Sequence, residues 1–123
     1  MSNEMRGRKI GDSVAVYMVQ DLWDAYGVTT ESTIPELTEN NFWVFNNTKF
    51  MCDDLVYHVT KVNNVTQEYA ITLYSDGTVA DGFHRILNAK VNGITKVNVR
   101  KLVIDPQPVH VVSTSTFLNL YST

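Results

Sequence analysis

A chain of 123 residues, 44% of them apolar and 19% charged, carries enough material for one buried core and too much hydrophobicity for intrinsic disorder. Ten basic against thirteen acidic residues leave a formal charge of −3, too mild to recruit nucleic acid by bulk attraction or to mimic it. Cys52 is the sole cysteine, which excludes an internal disulfide and a multi-cysteine zinc site and leaves a buried structural thiol as its expected role. The polar start, Met1 to Lys9, holds Arg6, Arg8 and Lys9 with little to anchor them, so residues 1–12 are expected to form a flexible basic tail ahead of a single domain over 13–123.

Ser13 to Val19 alternates Val14, Val16 and Met18 with small or polar neighbours and predicts a first strand. Gln20 to Tyr26 predicts a short helix stopped at Gly27, and the small polar residues Thr29 to Thr33 predict a loop. Ile34-Pro35-Glu36-Leu37 restarts the chain in extended form, because proline restricts its predecessor. The aromatic run Phe42 to Phe45 reads as a buried strand or core plug, with Trp23, Tyr26 and Phe50 as companions in a second hydrophobic cluster. Met51, Leu55, Val59 and Val62 recur at helical spacing and predict a helix with Asp53 and Asp54 in its first turn and His58 and Lys61 on one face.

A denser pattern follows. Tyr69 to Tyr74 predicts a strand, Ser75-Asp76-Gly77 a tight turn, Thr78 to Ala80 a returning strand, and Ile86 to Asn92 a helix ending near Gly93. Lys96 to Ile104 and Val109 to Val112 predict further strands, and Phe117 to Tyr121 a short docking segment. Asp81-Gly82-Phe83-His84-Arg85 sits where the returning strand hands over to the helix. Glycine there permits close backbone approach to a ligand, and Arg85, His84 and the first N–H groups of a helix can converge on an anion. Arg85 suits bidentate phosphate contact, and Asn88 lies one turn on. Asp81 could orient Arg85, hold magnesium through water, or cap the helix.

These residues resemble a family. From Asp53 to Pro108 the order of helix, strand, Asp-Gly turn, short strand, DG-x-HR loop, helix, glycine and strand is similar to the nucleotide-binding domain of the ParB/sulfiredoxin superfamily, and most to its small stand-alone bacterial and phage members. The Trp43 segment and Asp105-Pro106-Gln107-Pro108 fit the same pattern, giving a recognisable core of about 42–108. Residues before about Ile34 and after Val109 match nothing in it. The resemblance implies an α/β (α+β) fold, a small mixed sheet with packed helices. It also implies a site for ATP or CTP, with Mg2+, built from Asp81, Gly82, Phe83, His84, Arg85, Asn88, His58 and Lys61.

The departures narrow the activity. Where sulfiredoxins carry the reactive cysteine and ParB clamps a glutamate associated with CTP hydrolysis, this chain has Phe83. Sulfinic acid repair is therefore not expected, and phenylalanine cannot position or deprotonate water. Hydrolysis or phosphoryl transfer, as in an ATPase, CTPase or small-molecule kinase, would draw its carboxylate from Asp81, Glu36 or Glu39. The chain ends before a helix-turn-helix could follow, so DNA reading of the ParB kind is not expected.

The contrasting expectation is a non-catalytic phage or bacterial protein that acts on a host protein. The Asn and Thr clusters, such as Asn46-Asn47-Thr48, suit an AT-rich phage genome. No window approaches about eighteen consecutive apolar residues, so a cytoplasmic protein with no membrane span is expected. A 2H-phosphoesterase reading uses His58-Val-Thr60, but its partner motif fails at His110-Val-Val112, with Ser113 one place late. His58, His84 and His110 lack metal-ligand spacing.

Overall fold

The computed structural model describes residues 4–35 and 59–116. The aromatic run at Phe42 to Phe45, Phe50, Cys52, most of the helix expected over 51–62, and Phe117 to Tyr121 lie outside the described residues.

The supposed basic tail is a strand. β1 (Met5–Ile10) pairs antiparallel with β2 (Ser13–Met18) in full register, from Met5 opposite Met18 to Ile10 opposite Ser13. Gly11, at φ 58°, supplies the left-handed backbone on which the two-residue turn between them depends. The expected fraying assumed that nothing would anchor the polar residues of this segment. What anchors it is six backbone pairings with β2 plus carboxylates supplied from far along the chain, as described below.

β2 lies between β1 and β7 (His110–Ser113) in a three-stranded antiparallel sheet. Both of its faces are covered. Val14 and Val16 pack with Val112 on one face, while Ala15 and Tyr17 join Leu22, Tyr74, Ala80 and Leu102 on the other. The small and polar neighbours of the alternating valines thus contribute to the larger cluster.

α1 (Val19–Asp24) follows β2 directly and buries Val19 and Leu22. Its carboxyl end is held by Arg100, whose Nη2 donates to the Leu22 carbonyl and Nη1 to that of Ala25, both at 2.6 Å. A cation there also meets the negative end of the helix dipole. Gly27 fits beneath this arginine, since a Cβ would stand 2.9 Å from Arg100 Cγ.

β3 (Gly27–Thr33) corrects the expected loop over Thr29 to Thr33. It pairs antiparallel with β6 (Lys96–Leu102) over seven residues, from Gly27 opposite Leu102 to Thr33 opposite Lys96. The strand is largely exposed, so its side chains show no apolar alternation to read. Its threonines and valine are nevertheless β-formers, and the pairing with β6 decides their state.

β6 also pairs in parallel with β4 (Ile71–Leu73), and β4 pairs antiparallel with β5 (Val79–Asp81), giving a mixed sheet in the order β3-β6-β4-β5. α2 (Phe83–Val91) carries the chain from β5 over to β6. Its Ile86 and Ala89, one turn apart, enter a core with Ile71, Leu73, Val79, Val97 and Val99. The helix closes with paired backbone bonds, Ile94 N–H to the Ala89 carbonyl at 2.9 Å and Gly93 N–H to that of Lys90 at 3.4 Å, around Gly93 at φ 69°. The fold is a small mixed α/β domain, as expected, with a second, antiparallel sheet that the expected single sheet did not include.

Candidate functional site

The hairpin β4–β5 and the start of α2 bring Asp81 to Arg85 together at the edge of the mixed sheet. Gly82 has φ 112°, and a Cβ there would lie 3.1 Å from both γ-carbons of Ile71. Left-handed backbone and close packing under β4 both select glycine. The helix starts at Phe83, three residues before the expected start, so His84 and Arg85 occupy its first turn.

Asp81 is buried, and its acceptors are engaged by groups from the other end of the chain. Arg6 on β1 donates from Nε to Oδ1 at 3.1 Å, with Nη2 at 2.9 Å from the same oxygen. The Trp23 indole N–H on α1 donates to Oδ2 at 3.1 Å, and Arg85 Nη2 stands 4.0 Å from that oxygen. Arg6 also pairs with Glu4 at 3.1 Å. Two arginines therefore face two carboxylates, and these four side chains carry no surplus positive charge.

Arg85 is spent on backbone. Its Nη1 donates to the Tyr69 carbonyl at 3.0 Å and to the Ala70 carbonyl at 2.7 Å, satisfying the chain as it enters β4. Asn88 donates to the Val62 carbonyl at 2.8 Å and accepts from Gln67 Nε2 at 3.0 Å, while Gln67 also donates to the Arg85 carbonyl at 2.9 Å. Asn88 thus fastens α2 both to the helical residues 59–64 and to the segment after them. Phe83 is buried, and His84 is half-buried with its ring edge-on to Phe83 at 5.8 Å. Lys61 is exposed on the helical segment. His58, Glu36 and Glu39 lie outside the described residues, as does one half of the 2H-like pair. His110 is exposed on β7. Among the described residues no group of three or more His, Cys, Asp or Glu is placed to hold a metal ion.

A second network lies at the other end of the β4–β5 hairpin. Arg8, two residues along β1 from Arg6, donates from Nη2 to Asp76 at 2.7 Å and from Nη1 to Asp105 at 3.3 Å. Its guanidinium stacks 4.1 Å over the Tyr74 ring. Asp105 also accepts from the Ser75 N–H at 2.8 Å and its hydroxyl at 2.9 Å. Burial opposes ionisation of Asp76, but hydrogen bonds from the Thr78 hydroxyl and N–H and the nearby Arg8 outweigh it and hold this carboxyl below its ordinary value. Tyr74 packs against Tyr17 at 5.3 Å, its hydroxyl is buried without a hydrogen-bond partner, and burial pushes its phenol up.

The residues that sequence reasoning missed are therefore Arg6, Arg8 and Trp23. A signal for the first two was present, since a spacing of two places side chains on one face of a strand. Trp23 and Tyr26, expected in a second hydrophobic cluster whose other members lie outside the described residues, are 50% and 74% exposed. Among the described residues no helix is long and apolar enough to cross a membrane. No family model, curated protein or solved structure matches this chain.

Proposed function

We propose that this chain acts by contact with another protein, without turnover. The observation that carries the reading is the use made of Arg85. The side chain best suited to hold phosphate spends its guanidinium on the carbonyls of Tyr69 and Ala70 beside Asp81, while Phe83 is buried at the place where a water-handling group would be needed. A phosphate group entering here would have to replace two short backbone hydrogen bonds, and Asp81 is already matched by Arg6. A motif whose polar groups satisfy one another serves the joint between the sheets.

A second reading is binding of a nucleoside triphosphate, ATP or CTP, with Mg2+, at the start of α2. It is favoured by the strand–glycine–helix junction at Gly82, with the half-buried His84 in the first turn and a parallel β4/β6 pair joined across α2. That arrangement accords with what the ParB/sulfiredoxin resemblance implies. Turnover in this reading falls to Glu36, Glu39, His58 or Asp81.

Thermal unfolding with millimolar ATP, CTP, GTP and UTP, with and without magnesium, separates the two. The contact reading expects no shift and no release of phosphate. Ligand at a hundred times its dissociation constant would add about 2.7 kcal/mol, so a stabilisation of that order from any of the four establishes the second reading instead. Magnesium-dependent hydrolysis would overturn the absence of turnover outright.

A further inference from the structure

An open groove runs between the end of α1 and the segment that follows β6, with a volume of about 510 Å3. The backbone bond from Val103 N–H to the Tyr26 carbonyl, 3.0 Å, holds its two walls together. Its apolar lining is open to solvent, since Tyr26 is 74% exposed, Ile104 78% and Val103 53%, with Pro106 beside them. Its rim is acidic. Asp21 and Asp24 are both exposed, and among the described residues the side-chain partner of Asp24 is the neutral Gln20 amide at 3.0 Å, which brings it no positive charge. The third carboxylate, Asp105, is balanced by Arg8. Among the described residues no lysine or arginine lines the groove. Arg100 lies behind it, with its guanidinium on the Leu22 and Ala25 carbonyls.

We infer that this groove docks a segment of a partner protein that presents an arginine flanked by aliphatic side chains. This deepens the contact reading above and rests on it. Charge complementarity selects a cation and rejects nucleic acid and anionic membrane, both of which two exposed carboxylates repel. Exposed Tyr26 offers a ring face to a guanidinium, and planar guanidinium meets carboxylate in a paired geometry that ammonium lacks. Ile104 and Val103 would then cover the flanking aliphatic residues, the usual arrangement of an apolar centre with a charged rim.

The test is an amide-resolved NMR titration of the full chain with the peptide Gly-Leu-Arg-Leu-Gly, blocked at both ends, up to several millimolar. Shifts are expected at Tyr26, Ile104 and Gln107. They should weaken about tenfold, the effect of roughly 1.4 kcal/mol, when Asp21→Asn and Asp24→Asn are combined, and likewise when citrulline replaces the arginine. Each substitution is at an exposed position, and the dispersed spectrum itself reports folding; the single Asp21→Asn variant should give an intermediate loss. The inference is overturned if no residue of the groove responds, if the glutamate peptide Gly-Leu-Glu-Leu-Gly binds equally well, or if spermine, a cation without aliphatic side chains, binds as tightly. These outcomes leave the contact reading standing on another surface, whereas nucleotide hydrolysis would sink that reading without moving the peptide titration.

Discussion

Arg6 and Arg8 stand two residues apart on one face of β1, and each reaches a carboxylate of the β4–β5 hairpin, yet the two pairs sit in different surroundings. Asp81, the partner of Arg6, has a side chain 8% exposed, while Asp76, the partner of Arg8, is 51% exposed. The Coulomb attraction between two charges at similar distance is several times greater where water is excluded, and so is the cost of leaving one of them alone. The same residue types at the same spacing therefore meet a buried carboxylate at one end of the hairpin and a half-exposed one at the other, although Arg8 is itself the more buried of the two arginines.

The largest effect should come from Asp81→Ala. It leaves Arg6, Arg85 and the Trp23 indole N–H facing one another without their shared acceptor, and a loss of about 3–4 kcal/mol is expected from the urea midpoint. A loss below about 1 kcal/mol would mean that water fills the joint at little cost and that the comparison fails.

Next in size is the contrast between the two arginines. Arg6→Ala should cost about 2 kcal/mol and Arg8→Ala about 1 kcal/mol, the latter divided between the ion pair with the half-exposed Asp76 and the stacking on Tyr74. Double-mutant cycles sharpen the difference, because the coupling of Arg6 to Asp81 should exceed that of Arg8 to Asp76. Equal couplings would show that burial of Asp81 does not govern the pair.

A smaller effect is expected at low pH. The Asp76 carboxyl is held below its ordinary value in the folded chain, so its contribution is complete above the unfolded carboxylate pKa of about 3.9 and is lost as the pH falls through the lower folded value. Asp76→Asn should flatten that acid limb of the stability profile and change stability near neutral pH by less than about 1 kcal/mol. An unchanged acid limb would exclude Asp76 as its source.

The smallest change is expected at Tyr74→Phe. The hydroxyl is buried without a partner, so its removal should be neutral or add up to about 1 kcal/mol, read as a small rise in Tm. A loss of more than about 1 kcal/mol would reveal a hydrogen bond made by that hydroxyl.

The sequence by itself determined the elements whose signals are local. Gly77 and Gly93 mark a turn and a helix end because left-handed backbone favours glycine, and both have positive φ. The period of β2 follows from side chains that must face a core, so Val14 and Val16 were legible as packing residues. The handover from hairpin to helix within Asp81 to Arg85 was legible too, from its turn and helix signals, though the helix starts three residues earlier than they indicated.

What only the tertiary structure decided is where charge meets charge and which exposed strands find partners. β3 is a strand because β6 pairs with it, a fact that no alternation in Val28 to Thr33 could announce. Asp81 is separated by 75 residues from Arg6 and by 58 from Trp23, and Coulomb attraction acts over distance in space, to which sequence separation is no guide. A basic N-terminal segment and an anion-binding motif looked like a tail and a ligand site when read separately. Folded together, they supply each other's counter-charges.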